Sequence, residues 1–286
     1  NRPQWYVDRN LYIKTSNICI ETNEIANKDK TFACCLSSTN AYYFDEWENH
    51  PNFIFDMNLM LDCVIEDYIE KGSKLPGLEK AVRFAKEHRS IGLGILAFCS
   101  FLQKKGIIFG EIASYAVNKR IFSKLRSESD RASIWMAKHF GEPEMLKGYG
   151  YRNTTRLAQA PTKSTSYIMG GETLNLSEGV EPHKSNYTSK KLAKIQSEVK
   201  NKELVDLLET KGKNTKEVWS SILTHNGSVQ HLDFIDEREK AIFRTFSEIS
   251  QVDVLKLAGQ RAKLLDQGQS INIMIHPDTP ASEINK

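Results

Sequence analysis

Residues 16–21 have the sequence Ser16-Asn17-Ile18-Cys19-Ile20-Glu21, and this stretch is the most informative about the fold and chemistry of the chain. In an extended segment, side chains two residues apart share a face. The residues Asn17, Cys19 and Glu21 are therefore expected on one face, with the two isoleucines on the other, anchored in a core. The polar face would offer an amide, a thiol and a carboxylate within about 13 Å, at roughly 3.3 Å per residue.

The chemistry of this face depends on the protonation state of its thiol. A nucleophilic cysteine needs a nearby histidine or cation, and the nearest in sequence are Lys14 and His50. A carboxylate two residues away raises the pKa of a thiol by like-charge repulsion. The segment therefore favours chemistry of a neutral S–H, such as hydrogen-atom transfer, with Glu21 as general base and Asn17 hydrogen-bonded to a substrate oxygen. The same pattern also fits a buried cysteine in a strand with incidental polar neighbours.

Length and composition describe an ordinary globular protein. The 286 residues are 40% hydrophobic and 26% charged, which allows one large domain or two ordinary ones. A net charge of +3 is too small to argue for nucleic acid or a membrane surface, and no apolar run reaches the roughly 18 residues of a spanning helix. Five cysteines without a CxxC pair argue against a disulfide framework and a zinc site, and favour a reducing cytoplasm.

Periodicity predicts helices that alternate with a few strands. Helices are expected over residues 53–72, 78–88, 111–140 and 190–212, with one long or two shorter helices within 237–267. Strands are expected over residues 90–95, 154–160 and 270–276, of which the last alternates strictly. This order favours an α/β class that is rich in helix. Because isolated strands need partners, further strands are expected on a segment outside this sequence.

The stretch from Ser16 to Glu21 resembles the finger loop of the large, catalytic subunit of ribonucleotide reductases. In that family the cysteine carries a transient thiyl radical that removes the ribose 3′-hydrogen, the glutamate deprotonates the 3′-hydroxyl, and the asparagine orients it. By position, the resemblance gives these catalytic roles to Cys19, Glu21 and Asn17, and substrate contact to Ser16. The isoleucines beside the cysteine are similar to the oxygen-dependent class I form, since the cobalamin-dependent form usually has proline before and glycine after.

A second resemblance concerns residues 33–40, which are similar to the family segment that holds one of the two cysteines that reduce the substrate and become a disulfide. Alignment on Cys-x-Leu-Ser implies that role for Cys34, and a shift of one residue would give it to Cys35. Both also fit buried small residues. The remaining Cys63 and Cys99 are interpreted as core residues, so the second redox cysteine is expected on another segment.

A third resemblance covers residues 160–166, which are similar to the family run Pro-(Ser/Thr)-x-(Ser/Thr)-Ser at the start of a helix. Hydroxyls and backbone N–H groups at a helix N-terminus bind phosphate oxygens well, although an ordinary capping loop has the same composition. The implied substrate-binding residues are Pro161, Thr162, Lys163, Ser164 and Thr165. Residues 89–94 and 179–182 are similar to further family segments, and the glycines of the first would allow close approach of barrel elements.

Together these matches imply a fold and an activity. Residues 1–286 would be the central to C-terminal part of the ten-stranded α/β barrel of ribonucleotide reductases, with the N-terminal half absent. The finger loop would cover about residues 14–24 and the phosphate loop about residues 160–166. The implied reaction reduces ribonucleoside diphosphates to 2′-deoxyribonucleoside diphosphates by a thiyl-radical mechanism, and the chain alone is expected to be inactive.

The resemblance also implies partners. A small subunit with a di-metal tyrosyl radical, or an equivalent, would supply the radical in trans. A complementary N-terminal large-subunit fragment would supply the second cysteine, and thioredoxin or glutaredoxin the electrons. No cofactor or metal is expected on this chain, and neither nucleic acid nor a membrane is expected as a partner.

Two other function classes stay open. Another thiyl- or glycyl-radical enzyme on a related barrel predicts a glycyl-radical motif near a C-terminus, and the sequence shows none. A non-catalytic scaffold or binding protein with an inherited fold predicts the loss of a polar group from the Asn-x-Cys-x-Glu face. All three polar groups are kept.

Overall fold

The computed structural model describes residues 3–171, 174–192, 195–275 and 277–285. Its helices are α1 Gln4–Asp8, α2 Phe44–Trp47, α3 Phe53–Gly72, α4 Glu79–His88, α5 Phe98–Lys104, α6 Ile112–Phe140, α7 Lys163–Gly170, α8 Lys202–Thr210, α9 Lys216–Thr224, α10 Glu237–Ile242, α11 Gln251–Ala262 and α12 Ala281–Ile284. Its strands are β1 Thr15–Ser16, β2 Asn23–Glu24, β3 Leu36–Asn40, β4 Gly92–Leu96, β5 Tyr187–Leu192 and β6 Ile195–Lys200. Within the described residues these strands form three separate two-stranded sheets.

The two longest helices confirm the periodicity predictions. Helix α3 has the expected bounds, and α6 begins one residue after the expected start and ends before Gly141, whose φ of 85° suits glycine. The two helices pack against each other, and Asn58 Nδ2 of α3 donates to Ser129 Oγ of α6 at 2.9 Å. Their buried apolar faces join α11 and β4 in the main hydrophobic core.

Strand β4 lies at the centre of this core and is buried at every position. It pairs in parallel with β3, from Leu36 beside Gly92 to Asn40 beside Leu96. A Cβ atom on Gly94 would lie 2.5 Å from the carbonyl oxygen of Ala158. The expected close approach of backbone at these glycines is therefore confirmed.

The segment expected as a strand over residues 154–160 runs beside β4 and forms only isolated bridges. Leu157 pairs with Leu93 in parallel, and Gln159 pairs with Gln269. The Gln159 side chain replaces part of the missing ladder, since its Nε2 donates to Ile95 O at 2.8 Å.

The prediction of one charged helix over residues 190–212 is wrong for the first part of that range. An antiparallel hairpin of β5 and β6 occupies the first part, with Tyr187 opposite Lys200. The helix begins only at Lys202, because the side chain of Asn201 accepts a hydrogen bond from Glu203 N and caps it. A good N-cap residue inside a predicted helix indicates a start rather than an interior.

The prediction of a strand over residues 270–276 is also wrong for residues 270–275. His276 lies outside the described residues. Residues 271–275 are irregular, and Ile273, Met274 and Ile275 are 39–51% exposed. Strict alternation therefore did not lead to pairing, because no described strand lies alongside. Further upstream, the region 237–267 forms two shorter helices, α10 and α11, as one of the two alternatives predicted.

A second, smaller apolar cluster lies outside the main core. Leu204 and Leu208 of α8 pack there with Trp219 and Ile222 of α9 and with Phe243. No helix in the described part of the chain is long and apolar enough to cross a membrane.

Candidate active site

The stretch that contains Cys19 folds as the tip of a short hairpin. Strands β1 and β2 pair antiparallel, with Thr15 opposite Glu24 and Ser16 opposite Asn23. Between them the chain turns, and the amide of Ile20 donates to Asn17 O at 3.1 Å. We call residues 15–24 the finger hairpin.

The expected alternation of residues 16–21 is wrong because the chain turns there. Ile18 is 99% exposed and Ile20 is 52% exposed, so neither anchors the segment in a core. Ile20 also has a φ of 61°, which is unusual for a β-branched residue. The hairpin is held instead by polar contacts of its other residues.

The polar side chains Asn17 and Glu21 contact each other directly. Asn17 Nδ2 donates to Glu21 Oε1 at 2.7 Å, while Asn17 Oδ1 accepts from the amide of Thr22 at 3.0 Å. Glu21 is 2% exposed, and its Oε2 has no hydrogen-bond partner among the described residues. A buried carboxylate oxygen without a partner is costly, and here it is available to accept a proton from a ligand hydroxyl.

The Cys19 thiol is half-buried beside this carboxylate. Burial, then Glu21, then Cys34 raise the pKa of Cys19 above its ordinary value. The thiol is therefore neutral near pH 7. A neutral S–H suits hydrogen-atom transfer and does not suit nucleophilic catalysis.

The adjacent Cys34 and Cys35 have different surroundings. Cys34 is exposed and is close enough to raise the pKa of Cys19. Cys35 is half-buried, its Sγ lies 3.7 Å from Leu61 O, and burial raises its pKa to about 11, with smaller effects of Asp62 and Cys34. The structure thus brings Cys34 near Cys19 and turns Cys35 towards α3.

Cys63 and Cys99 were both expected in the core, and one of them lies there. Cys99 is 2% exposed and lies in the core as predicted. Cys63 is exposed, so its assignment to the core is wrong. It lies on the face of α3 that the buried residues Leu61, Asp62 and Ile65 leave to solvent.

The predicted phosphate loop is shorter than expected, because α7 already begins at Lys163. Thr162, with a φ of 55°, ends the loop, and its Oγ1 accepts from the amide of Gly179 at 2.8 Å. Pro161 is half-buried and Thr162 is buried, whereas Lys163, Ser164 and Thr165 are exposed in the first helical turn. The hydroxyl of Thr162 thus shapes the loop, while the next three residues present a helix N-terminus to solvent.

Residues 266–269 join the finger hairpin to the strand-like segment that leads into the phosphate loop. The amide of Gly268 donates to Glu21 O at 2.9 Å, and Gln159 N donates to Gly268 O at 3.2 Å. Asn23 N donates to Gln267 Oε1 at 3.3 Å. The sequence analysis assigned no role to this stretch. The glycine between two glutamines was the available signal, because it permits close backbone approach.

Asp266 holds the same junction from its other side. Its Oδ2 accepts from the amides of Arg156 and Leu157 at 2.7 and 3.1 Å, and its Oδ1 pairs with Arg126 and Arg156. Sequence reasoning missed this structural role. Among the described residues, no group of three or more His, Cys, Asp or Glu side chains is arranged to hold a metal ion.

Comparisons with known proteins agree with this geometry. The family described as "Ribonucleotide reductase, barrel domain" matches residues 1–145 and 143–286. A ribonucleoside-diphosphate reductase large subunit of Invertebrate iridescent virus 3 is 35% identical over 99% of this chain and 45% of its own length. That of Invertebrate iridescent virus 6 is 39% identical over 93% of this chain and 28% of its own length.

A solved structure is similar as well. The Actinobacillus ureae class Id ribonucleotide reductase alpha subunit superposes with a TM-score of 0.92 at 46% identity, over 99% of this chain and 52% of that one. The chain thus spans about half or less of the length of these proteins. The resemblance and the helix-rich α/β class predicted from the motifs are confirmed, and the chain belongs to the ribonucleotide reductase barrel-domain family.

Proposed function

We propose that this chain carries the radical-bearing part of the active site of a ribonucleoside-diphosphate reductase large subunit. It would take part in the reduction of ribonucleoside diphosphates to 2′-deoxyribonucleoside diphosphates. The observation that carries the proposal is the turn that holds the neutral Cys19 thiol beside Glu21, whose buried Oε2 has no hydrogen-bond partner among the described residues. The printed names of the viral relatives support the substrate class.

Each polar group at the tip has a distinct task in this reaction. A Cys19 thiyl radical takes the ribose 3′-hydrogen atom, which regenerates S–H and leaves a carbon radical. Glu21 Oε2 accepts the proton of the 3′-hydroxyl. Asn17 keeps the carboxylate oriented, since its amide donates to Oε1. Ser16, half-buried at the end of β1, contributes to the substrate-facing side.

Cys34 supplies part of the reducing power in this proposal. The 2′-hydroxyl leaves as water, and two thiols become one disulfide, which delivers two electrons and two protons. Exposure of Cys34 and its electrostatic effect on Cys19 favour it over Cys35. The second thiol belongs to another segment, because Cys63 and Cys99 lie on α3 and in the core.

The diphosphate would bind at the start of α7. Lys163 adds positive charge, and Ser164 and Thr165 add hydroxyls beside the backbone N–H groups of the first helical turn. Pro161 and Thr162 set the direction in which the chain enters the helix.

Turnover in this proposal requires three kinds of partner. An N-terminal large-subunit fragment completes the barrel and brings the second cysteine. A small radical-generating subunit supplies the oxidising equivalent, and thioredoxin or glutaredoxin reduces the disulfide in the cytoplasm. The chain alone is accordingly expected to show no turnover.

The test is reconstitution of this chain with the N-terminal part of a class I large subunit and its radical subunit. Deoxynucleoside diphosphate is then detected by mass spectrometry. The Cys19→Ser variant is expected to abolish product, and Glu21→Gln to lower it by about 10²–10⁴-fold. Cys63→Ser, on the exposed face of α3, is the matched control and should keep parental activity. Substantial product from Cys19→Ser would overturn the proposal.

A further inference from the structure

A fully buried carboxyl lies at the base of the finger hairpin. Glu24, the last residue of β2, is 1% exposed. Its Oε2 accepts from the Tyr6 hydroxyl at 2.6 Å, and its Oε1 accepts from Thr155 Oγ1 at 2.8 Å and from the Ser90 hydroxyl. We call Tyr6, Glu24, Ser90 and Thr155 the Glu24 clamp.

The clamp holds the carboxyl with hydroxyl groups and without a counter-charge. Within the described residues no cation is among the groups that shift the pKa of Glu24. Burial raises that pKa most, the three hydroxyls lower it, and the carboxylate of Asp266 raises it further. The next titratable group outward is His88, whose Nδ1 lies 3.1 Å from the Tyr6 hydroxyl and whose pKa burial lowers to about 3. The pKa of Glu24 is thus raised above its ordinary value, and the His88 imidazole is neutral near pH 7.

The finger hairpin needs such an anchor. It has only two paired positions in each strand, and a two-stranded hairpin of this size is not stable alone in water. Its tip does not anchor it either, since Ile18 and Ile20 face solvent. In the described part of the chain, the other long-range hydrogen bonds of the hairpin are that from Gly268 N to Glu21 O and that from Asn23 N to Gln267 Oε1.

The clamp also connects the hairpin to the neighbourhood of Cys34. Ser90 lines a cavity of about 380 Å³ together with Cys34 and Cys35. Gln267 Nε2 donates to Thr155 Oγ1 at 3.0 Å and so couples the clamp to the contact with Asn23. Ser90 thus contacts the base of the hairpin and also lines the cavity beside Cys34.

We propose that Glu24 is a positioning residue, which fixes the finger hairpin against Ser90 and Thr155 and so sets the position of Cys19 relative to Cys34. This inference rests on the proposed function, in which those two thiols act together. Glu24 touches neither thiol and no substrate in this arrangement, and it acts through the backbone of β2.

The test uses the chain as it is and needs no turnover. Trypsin cleaves after Lys14 and Lys28, so the peptide of residues 15–28 carries Cys19 as its only cysteine. The alkylation rate of this peptide is followed by mass spectrometry after tryptic digestion. The hydrogen-exchange rate of residues 15–28 is followed after acid quench and digestion with pepsin. Glu24→Leu leaves three buried hydroxyls without their acceptor and is expected to raise both rates about tenfold. Glu24→Gln keeps one acceptor and one donor and is expected to stay within about twofold of the parent.

Two further comparisons separate positioning from general loss of stability. Ile222→Val, in the second apolar cluster, is the control and should leave the peptide unchanged. If Glu24→Leu does not fold, Ser90→Ala and Thr155→Val remove the same contacts from the other side and should raise the same two rates. Parental rates in Ser90→Ala, Thr155→Val and any folded Glu24→Leu would overturn the inference. Because no readout involves product formation, failure here is distinct from failure of the proposed reaction.

Discussion

The backbone amide of Gly268 donates to the carbonyl oxygen of Glu21 at 2.9 Å, which joins the finger hairpin to a segment near the other end of the chain. A Cβ atom on Gly268 would lie 2.4 Å from Ile20 O and 2.4 Å from Asn23 Nδ2. Only glycine permits this approach, so the hairpin position depends on the absence of one methyl group.

Replacement of this glycine should therefore move the hairpin. Gly268→Ala is expected to lower the free energy of unfolding by about 1–3 kcal/mol, since a methyl group is forced against backbone. It should also speed hydrogen exchange in residues 15–28. Gly259→Ala is the matched control, because nothing lies within 4 Å of its Cβ position inside α11. That variant should gain about 0.5–1 kcal/mol in urea unfolding. Equal effects of the two substitutions would contradict the close-approach argument.

The thiols should differ in reactivity in a way that separates Cys34 from Cys35. At pH 8, iodoacetamide should modify Cys34 quickly because it is exposed, whereas Cys35, with a pKa of about 11, should react slowly. Cys99, with a pKa raised to about 12 by burial, should be slowest. Thiol counting by mass spectrometry should show that Cys34→Ser removes a fast phase and Cys35→Ser a slow one. The reverse assignment would favour Cys35 as the redox residue.

A buried ion pair between Arg89 and Asp62 should dominate the stability of this region. Asp62 accepts from both Nε and Nη2 of Arg89 at 2.9 Å, and both residues are at most 5% exposed. Asp62→Asn leaves the buried Arg89 guanidinium with the exposed Glu66 carboxylate as its counter-charge, and it should cost about 3–5 kcal/mol in urea unfolding. Asp67→Asn breaks the exposed pair with Lys71 on the same helix and should cost no more than about 0.5 kcal/mol. Similar losses from both variants would be inconsistent with this difference in burial.

Stability should depend on pH through His88. Burial, then Lys30 and Arg9, lower its pKa from 6.5 to about 3. The unfolded chain therefore binds a proton that the folded chain does not, and stability falls as pH drops from 6.5 towards 3. This group should make the free energy of unfolding about 2 kcal/mol smaller at pH 5 than at pH 7. The Tyr6 hydroxyl donates to Glu24, so it accepts from His88 Nδ1. His88→Asn keeps an N–H donor for Tyr6 and should flatten that dependence.

The comparison with His88→Asn is needed because Glu24 has the opposite sign. Its raised pKa stabilises the fold at low pH, and that contribution is lost as pH rises through the folded-state pKa. An equally steep fall in stability between pH 7 and pH 5 in His88→Asn would contradict the assignment to His88.

The sequence predicted which residues lie together in the site better than it predicted their backbone conformation. Asn17, Cys19 and Glu21 do lie together, and the helices with clear apolar spacing, such as α3 and α6, have their predicted bounds. The turn at the tip was missed because alternation of polar and apolar residues fits a strand equally well. Local hydrogen bonds of Asn17 with Ile20 and Thr22 close the turn, and a distant contact of Gly268 with Glu21 also supports it.

Two other features were not predicted because they depend on residues that are distant in the sequence. Residues 270–275 alternate strictly, and a strand still requires a neighbour, which no local pattern supplies. The Glu24 clamp joins α1, β2, the residue Ser90 just before β4 and the segment that contains Thr155, so no local window contains it. The exposure of Cys63 was also missed, because its helix has one buried face and a lone cysteine fits either side.

The exposure of Ile18 links assembly to protection of the thiol. At 99% exposure, this side chain loses the full hydrophobic contribution that a buried isoleucine makes, about 1.5–3 kcal/mol. Any surface that covers the tip recovers that energy and removes water from around Cys19 in the same step. The strength of docking at the tip and the exclusion of water from Cys19 would then be linked through the exposed Ile18 and Ile20 side chains. A partner that bound the tip weakly would also leave Cys19 Sγ accessible to water.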